Sequence, residues 1–98
     1  MSTPIDQRRR DEIAAAVVDY DSAHPLSPLP RNATRLLVAM FPTGDVCQRS
    51  QQDIAGEGFD RKRLPATLRR LVESGLLSRH RVAGAPDTYR LHLPSVRP

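Results

Sequence analysis

The sequence predicts a mainly α fold with a small β-sheet, and three observations carry that prediction. Leu64, Leu68, Leu71 and Gly75 recur every three or four residues, which lines them along one side of a helix. SQQDIA at 50–55 has the Ser-x-x-Asp form of a capping box in front of an apolar pair. TYRLHL at 88–93 alternates apolar and polar residues, the period of a half-buried strand. With 98 residues, of which 39% are hydrophobic and 27% charged, the chain suits one globular domain over 1–98 with a small core.

The elements follow in order. Thr3, Pro4 and Asp6 form a helix start, with a hydroxyl cap, a proline suited to the first turn and an acid at the positive end of the dipole. Ile13, Ala16, Val17 and Tyr20 continue at helical spacing, so a first helix is expected over 4–21. HPLSPLP at 24–30 has three prolines in seven residues and cannot be helical; 22–30 reads as a stiff connector whose leucines pack back on the core. In RNATRLLVAMFP, Leu36, Leu37, Met40 and Phe41 make a buried second helix ended by Pro42 and Gly44.

DVCQR at 45–49 is short enough for a single strand, and the capping box then starts a third helix over 50–57. Gly56 and Gly58 close it, and Phe59 returns an aromatic ring to the core. The leucine register predicts a fourth helix over 60–74. Pro65 falls in its first turns, so 60–64 reads as a looser entry. At about 100° per residue, Lys62, Ala66, Arg69, Arg70 and Glu73 lie opposite the leucines, with Arg63 at the margin. LLSRHRV at 76–82 and TYRLHL form a hairpin around AGAPD, with Tyr89, Leu91 and Leu93 inward and Thr88, Arg90 and His92 outward. Pro94 ends the last strand, and 95–98 is a fraying tail.

Composition narrows the function classes. No apolar run approaches the eighteen or so residues of a membrane helix, and MSTPIDQRRRDE lacks the apolar stretch of a secretory signal, so a cytoplasmic, nucleoid-associated location is expected. Cys47 is the only cysteine, which rules out an internal disulfide and a multi-thiolate zinc site, and His24, His80 and His92 are too scattered for metal ligands. No Ser/His/Asp or Cys/His pattern, glycine-rich phosphate loop or paired acids stand out, so neither enzyme activity nor a cofactor nor a small-molecule ligand is expected.

Charge is unevenly spread. Residues 1–58 carry a net −2 and residues 59–98 a net +6, which together give the formal +4. A polyanionic partner is therefore expected to meet the C-terminal half. The triplet Arg8, Arg9 and Arg10 points several ways around its helix and reads as a solvated turn.

SQQDIA, then LPATLRRLVESGLLSR at 64–79, then TYRLHLP at 88–94 resemble a winged helix-turn-helix domain with an extra N-terminal helix. The middle stretch is similar to the recognition-helix region of plasmid replication initiators and related winged-helix transcriptional regulators. The resemblance spans roughly residues 32–94. It implies that the 60–74 helix enters the major groove of double-stranded DNA, that the 50–57 helix braces it, and that the 76–93 hairpin is the wing. By the same resemblance Arg61, Lys62, Arg63, Thr67, Arg69 and Arg70 take base-edge or phosphate roles, and Arg79, Arg81 and Arg90 belong to the wing. Gln51 and Gln52, at the start of the bracing helix, are candidate phosphate donors or simply solvated helix-start residues. Gly84-Ala85-Pro86 at the hairpin tip carries no cation, a departure that argues against deep minor-groove insertion there.

Three function classes follow: a sequence-specific transcriptional regulator, the DNA-binding module of a replication or plasmid-maintenance initiator, and a winged-helix protein-interaction module. One recognition module buries only about 600–1,000 Å², so useful specificity normally requires two, and a homodimer is expected. The Ile13/Val17/Tyr20 face is either its interface or a cover for the monomer's own core.

Overall fold

A computed structural model of the chain describes residues 4–93. The Thr3 cap, the stop at Pro94 and the 95–98 tail lie outside the described residues, as does the Asp6 side chain. Four helices and three strands follow one another as α1 (Pro4–Ala23), α2 (Ala33–Met40), β1 (Val46–Cys47), α3 (Gln51–Ala55), α4 (Leu64–Ser74), β2 (Leu77–His80) and β3 (Thr88–Leu91). The strands form one antiparallel sheet in the order β1-β3-β2.

α1 runs two residues beyond its expected end, to Ala23, because the first proline of the connector, Pro25, is the earliest residue that cannot continue it. His24 closes the helix by donating its backbone N–H to Tyr20 O at 2.9 Å and stacking its ring on Tyr20, with centroids 4.1 Å apart. The connector folds back only in part. Leu29 is 6% exposed, its N–H donating to Asp21 Oδ1 at 2.8 Å, whereas Leu26 is 99% exposed, so only one of the two leucines packs on the core as expected.

The core forms where the apolar face of α1 meets α2, α4 and the inner face of the sheet. Ile13, Leu36, Leu37, Phe41, Ile54 and Leu71 are fully shielded, with Ala16, Val17, Leu68, Tyr89 and Leu91 nearly so. Ile13 and Val17 therefore cover the monomer's own core, and Tyr20 packs at its margin. Of the two readings of the α1 face, this burial favours the cover for the monomer's own core.

The Ser50 hydroxyl caps α3 by accepting from Asp53 N at 3.1 Å, as the Ser-x-x-Asp pattern implies. The helix is shorter than 50–57, since Gly56 to Gly58 already form a turn. α4 is also shorter than 60–74: residues 61–63 make a turn in which Asp60 Oδ1 accepts from Lys62 N at 2.9 Å, and Pro65 sits in the first helical turn. Gly75 ends α4 at φ +88 with its N–H bonded to Val72 O at 3.1 Å.

A Cβ at Gly75 would meet nothing within 4 Å, so the cost of adding one is that of the left-handed backbone alone. Gly75→Ala is expected to lower unfolding stability by about 1–2 kcal/mol, and Gly75→Asn by less, in urea melts read by circular dichroism.

β2 and β3 are shorter than 76–82 and 88–93, and 81–87 is loop. An ion pair between Arg79 Nε and Asp87 Oδ2 at 2.6 Å closes the base of that loop. The register sets Leu77 against Leu91 and Arg79 against Tyr89 on the core face, and Ser78 against Arg90 on the outer face.

Candidate nucleic-acid interface

α4 supplies the surface around which the candidate site is built. Leu64, Leu68 and Leu71 turn inward, and Pro65, Ala66, Arg69 and Glu73 form an exposed ridge on the other side. On one flank of this ridge lies a groove of about 210 Å³ lined by Gln51, Pro65, Leu68, Arg69, Val72, Arg79 and Tyr89.

Three elements deliver its polar groups. Arg69 is the first outward cation of α4 and has no side-chain partner among the described residues. Arg79 comes from β2, facing the groove because its register partner Tyr89 is a core residue. Gln51 is the first residue of α3 and donates from Nε2 to the Tyr89 hydroxyl at 3.4 Å. No carboxylate lines the groove itself, although Asp87 engages Arg79 at Nε. The groove therefore presents guanidinium and amide donors suited to an anionic or acceptor-rich partner.

The remaining residues of the expected site separate into groups. Arg61, Lys62 and Arg63 are exposed in the turn leading into α4, and Arg63 is only loosely paired with Asp60, at 3.8 Å. Gln52 is exposed on α3, and Arg81 is exposed just beyond β2.

Two residues, Thr67 and Arg70, do not sit where expected, and a third, Arg90, is outward as its alternation implies but on the face turned away from the groove. Thr67 is 9% exposed, and its hydroxyl donates to Arg63 O at 3.2 Å, so it is a core-facing helix residue with its hydrogen bond satisfied locally. Arg70 does not accompany Arg69 on the ridge. It is half-buried, donates to Ser27 O and lies with its guanidinium 5.8 Å from the Tyr20 ring centroid, tying α4 to α1 and the connector. Arg90 is exposed but projects from the outer sheet face, away from Arg79, because adjacent strand positions alternate sides and its register partners are Val46 and Ser78.

Two cations that the sequence reading passed over lie on the opposite flank of α4. Arg31, in the turn before α2, and Arg35, in its first turn, line a groove of about 470 Å³ together with Arg63, Asp60 and Thr67. Charge summed over residues 1–58 hid them, because acids of that half, such as Asp45 and Glu57, are paired elsewhere with Arg9 and Arg49. The one local signal was the spacing of Arg31 and Arg35 by one helical turn at the start of an apolar helix.

No known protein family, curated protein or solved structure matches the chain. Among the described residues, no helix is long and apolar enough to cross a membrane.

Proposed function

We propose that this protein is a winged helix-turn-helix domain that binds double-stranded DNA sequence-specifically as a transcriptional regulator, with α4 in the major groove and the β2–β3 hairpin as the wing. The observation that carries this reading is the convergence of Gln51, Arg69 and Arg79, from three separate elements, on one groove beside the exposed ridge of α4. A solvated basic face would need no such convergence.

The physical fit supports the same reading. A helix about 10–12 Å across fits a major groove about 12 Å wide, and an arginine can donate to guanine O6 and N7 together. Ala66 and Pro65 keep the middle of the ridge low, so the backbone of α4 can approach base edges closely. In this arrangement Arg69 is the base-reading candidate. Arg79 and the entry residues Arg61 to Arg63 hold phosphates and orient the helix.

Two copies per site remain the expected stoichiometry on grounds of specificity. With the α1 face buried internally, the copies would be brought together by adjacent half-sites or by another surface.

Selection of bound sequences from a random duplex library tests the proposal. An enriched palindrome or spaced repeat is expected, with affinity that falls by roughly 0.9 log unit per phosphate contact for each tenfold rise in salt. Recovery of a random pool, with weak binding indifferent to sequence, would show that the groove serves a protein partner instead.

A further inference from the structure

We infer that the groove formed by Arg31, Arg35 and Arg63 holds the phosphates of one DNA strand while Arg79, in the groove on the other flank, holds those of the other, so that α4 is gripped from both sides. The inference rests on the proposed DNA-binding function and adds an assignment of each flank to a strand.

The two grooves share no lining residue and lie on opposite flanks of α4: Leu64 and Thr67 line one, and Pro65, Leu68, Arg69 and Val72 line the other. A helix seated in a major groove of its own width has one sugar-phosphate backbone along each flank. Cations on only one flank would leave the second strand without contact.

Charge favours an anion on the new flank. Its lining carries three guanidinium groups against the single carboxylate of Asp60, a net of +2. Asp60 is already engaged by the Lys62 N–H at 2.9 Å and, loosely, by Arg63. Arg35 is held in place, with NH2 donating to Gly58 O at 3.0 Å and the guanidinium stacked 4.6 Å from the Phe59 ring centroid. Arg31 is exposed and has no acidic partner among the described residues, and the Arg63 side chain is 87% exposed. α2 begins beside the groove with no side-chain cap on its first turn, so its positive helix end adds to the same charge. The groove thus combines one cation held by a hydrogen bond and a ring contact with two exposed ones, an arrangement that suits a polyanion running past it.

The test uses the full chain and a duplex recovered by selection, with neutral methylphosphonate linkages introduced on one strand at a time. Arg31 and Arg63 are replaced together by glutamine, and Arg79 separately by glutamine; Arg35 is retained because it supports Phe59. The double variant is expected to lose roughly one to two units of the salt slope, at about 0.9 per phosphate. It should also become indifferent to neutral linkages on one strand while still sensing them on the other, with Arg79→Gln showing the reverse pattern. A wild-type protein that binds while the double variant keeps its full salt slope, or that shows both variants insensitive to the same strand, would overturn the two-strand assignment alone. A wild-type protein that ignores duplex DNA altogether would remove the DNA reading and this inference with it.

Discussion

Replacing Arg69 by alanine is expected to cost about 1–3 kcal/mol of binding to a selected duplex, concentrated at one base position, while leaving the melting temperature of the free protein unchanged. Arg69 is exposed on the ridge and makes no side-chain bond among the described residues, so the free fold loses nothing when it is removed. Arg70→Ala is expected to do the opposite. Its guanidinium holds Ser27 O and stacks toward Tyr20, so its loss loosens the connector and α1 and lowers stability by about 0.5–1.5 kcal/mol, with little change in sequence preference. Parallel thermal melts and duplex titrations of the two single variants provide the check. Equal losses of DNA affinity without loss of stability would show that both residues act at the DNA and that the Arg70 contact is incidental.

Leu71→Ala is the second large effect. Leu71 is fully buried at the centre of the α4 face that meets the core. Removing it should cost about 2–5 kcal/mol through lost transfer energy and the cavity left behind. A domain of this size has only about 5–15 kcal/mol in total, so the variant is expected to be partly unfolded near physiological temperature. Because α4 carries the ridge and both grooves border it, DNA binding should fall in proportion to the folded fraction and recover on cooling or in a stabilising osmolyte. A well-folded Leu71→Ala protein in urea melts would mean that α4 is less central to the core than its burial implies.

The elements were largely legible in the residues because each rests on a local pattern. The leucines at 64, 68 and 71 established the inner face of α4, Ser50 capped α3, and Tyr89 and Leu91 alternated inward. Errors in the ends of elements have equally local causes. α4 starts at Leu64 because Asp60 captures the Lys62 N–H and stabilises a turn in place of a helical one. α3 stops early because Gly56 and Gly58 favour a turn over another helical residue.

The site was legible only in part. Residue type and helical angle nominate Arg69 and Arg70 together as an outward pair, with Arg63 at the margin of the same arc. What separates them is what packs beside α4 on each flank, and that depends on residues far along the chain. Ser27 and Tyr20 capture Arg70, while Arg31 and Arg35 join Arg63. Thr67 was assigned to the surface by resemblance alone, and its angle close to the leucines carries it into the core.

By itself, then, the sequence determined the secondary-structure order, the apolar faces and the excess of cations near α4, since periodicity, caps and turn residues act over a few neighbours. Only the tertiary structure decided that the α1 face covers the monomer core, that Arg79 and Arg90 lie on opposite faces of the sheet, and that α4 is flanked by two separate cationic grooves. The physical reason is that burial and electrostatic grouping are set by distance in space. Chain folding brings Gln51, Arg69 and Arg79 together and joins Arg31 to Arg63, and no summation of charge along the sequence contains those separations.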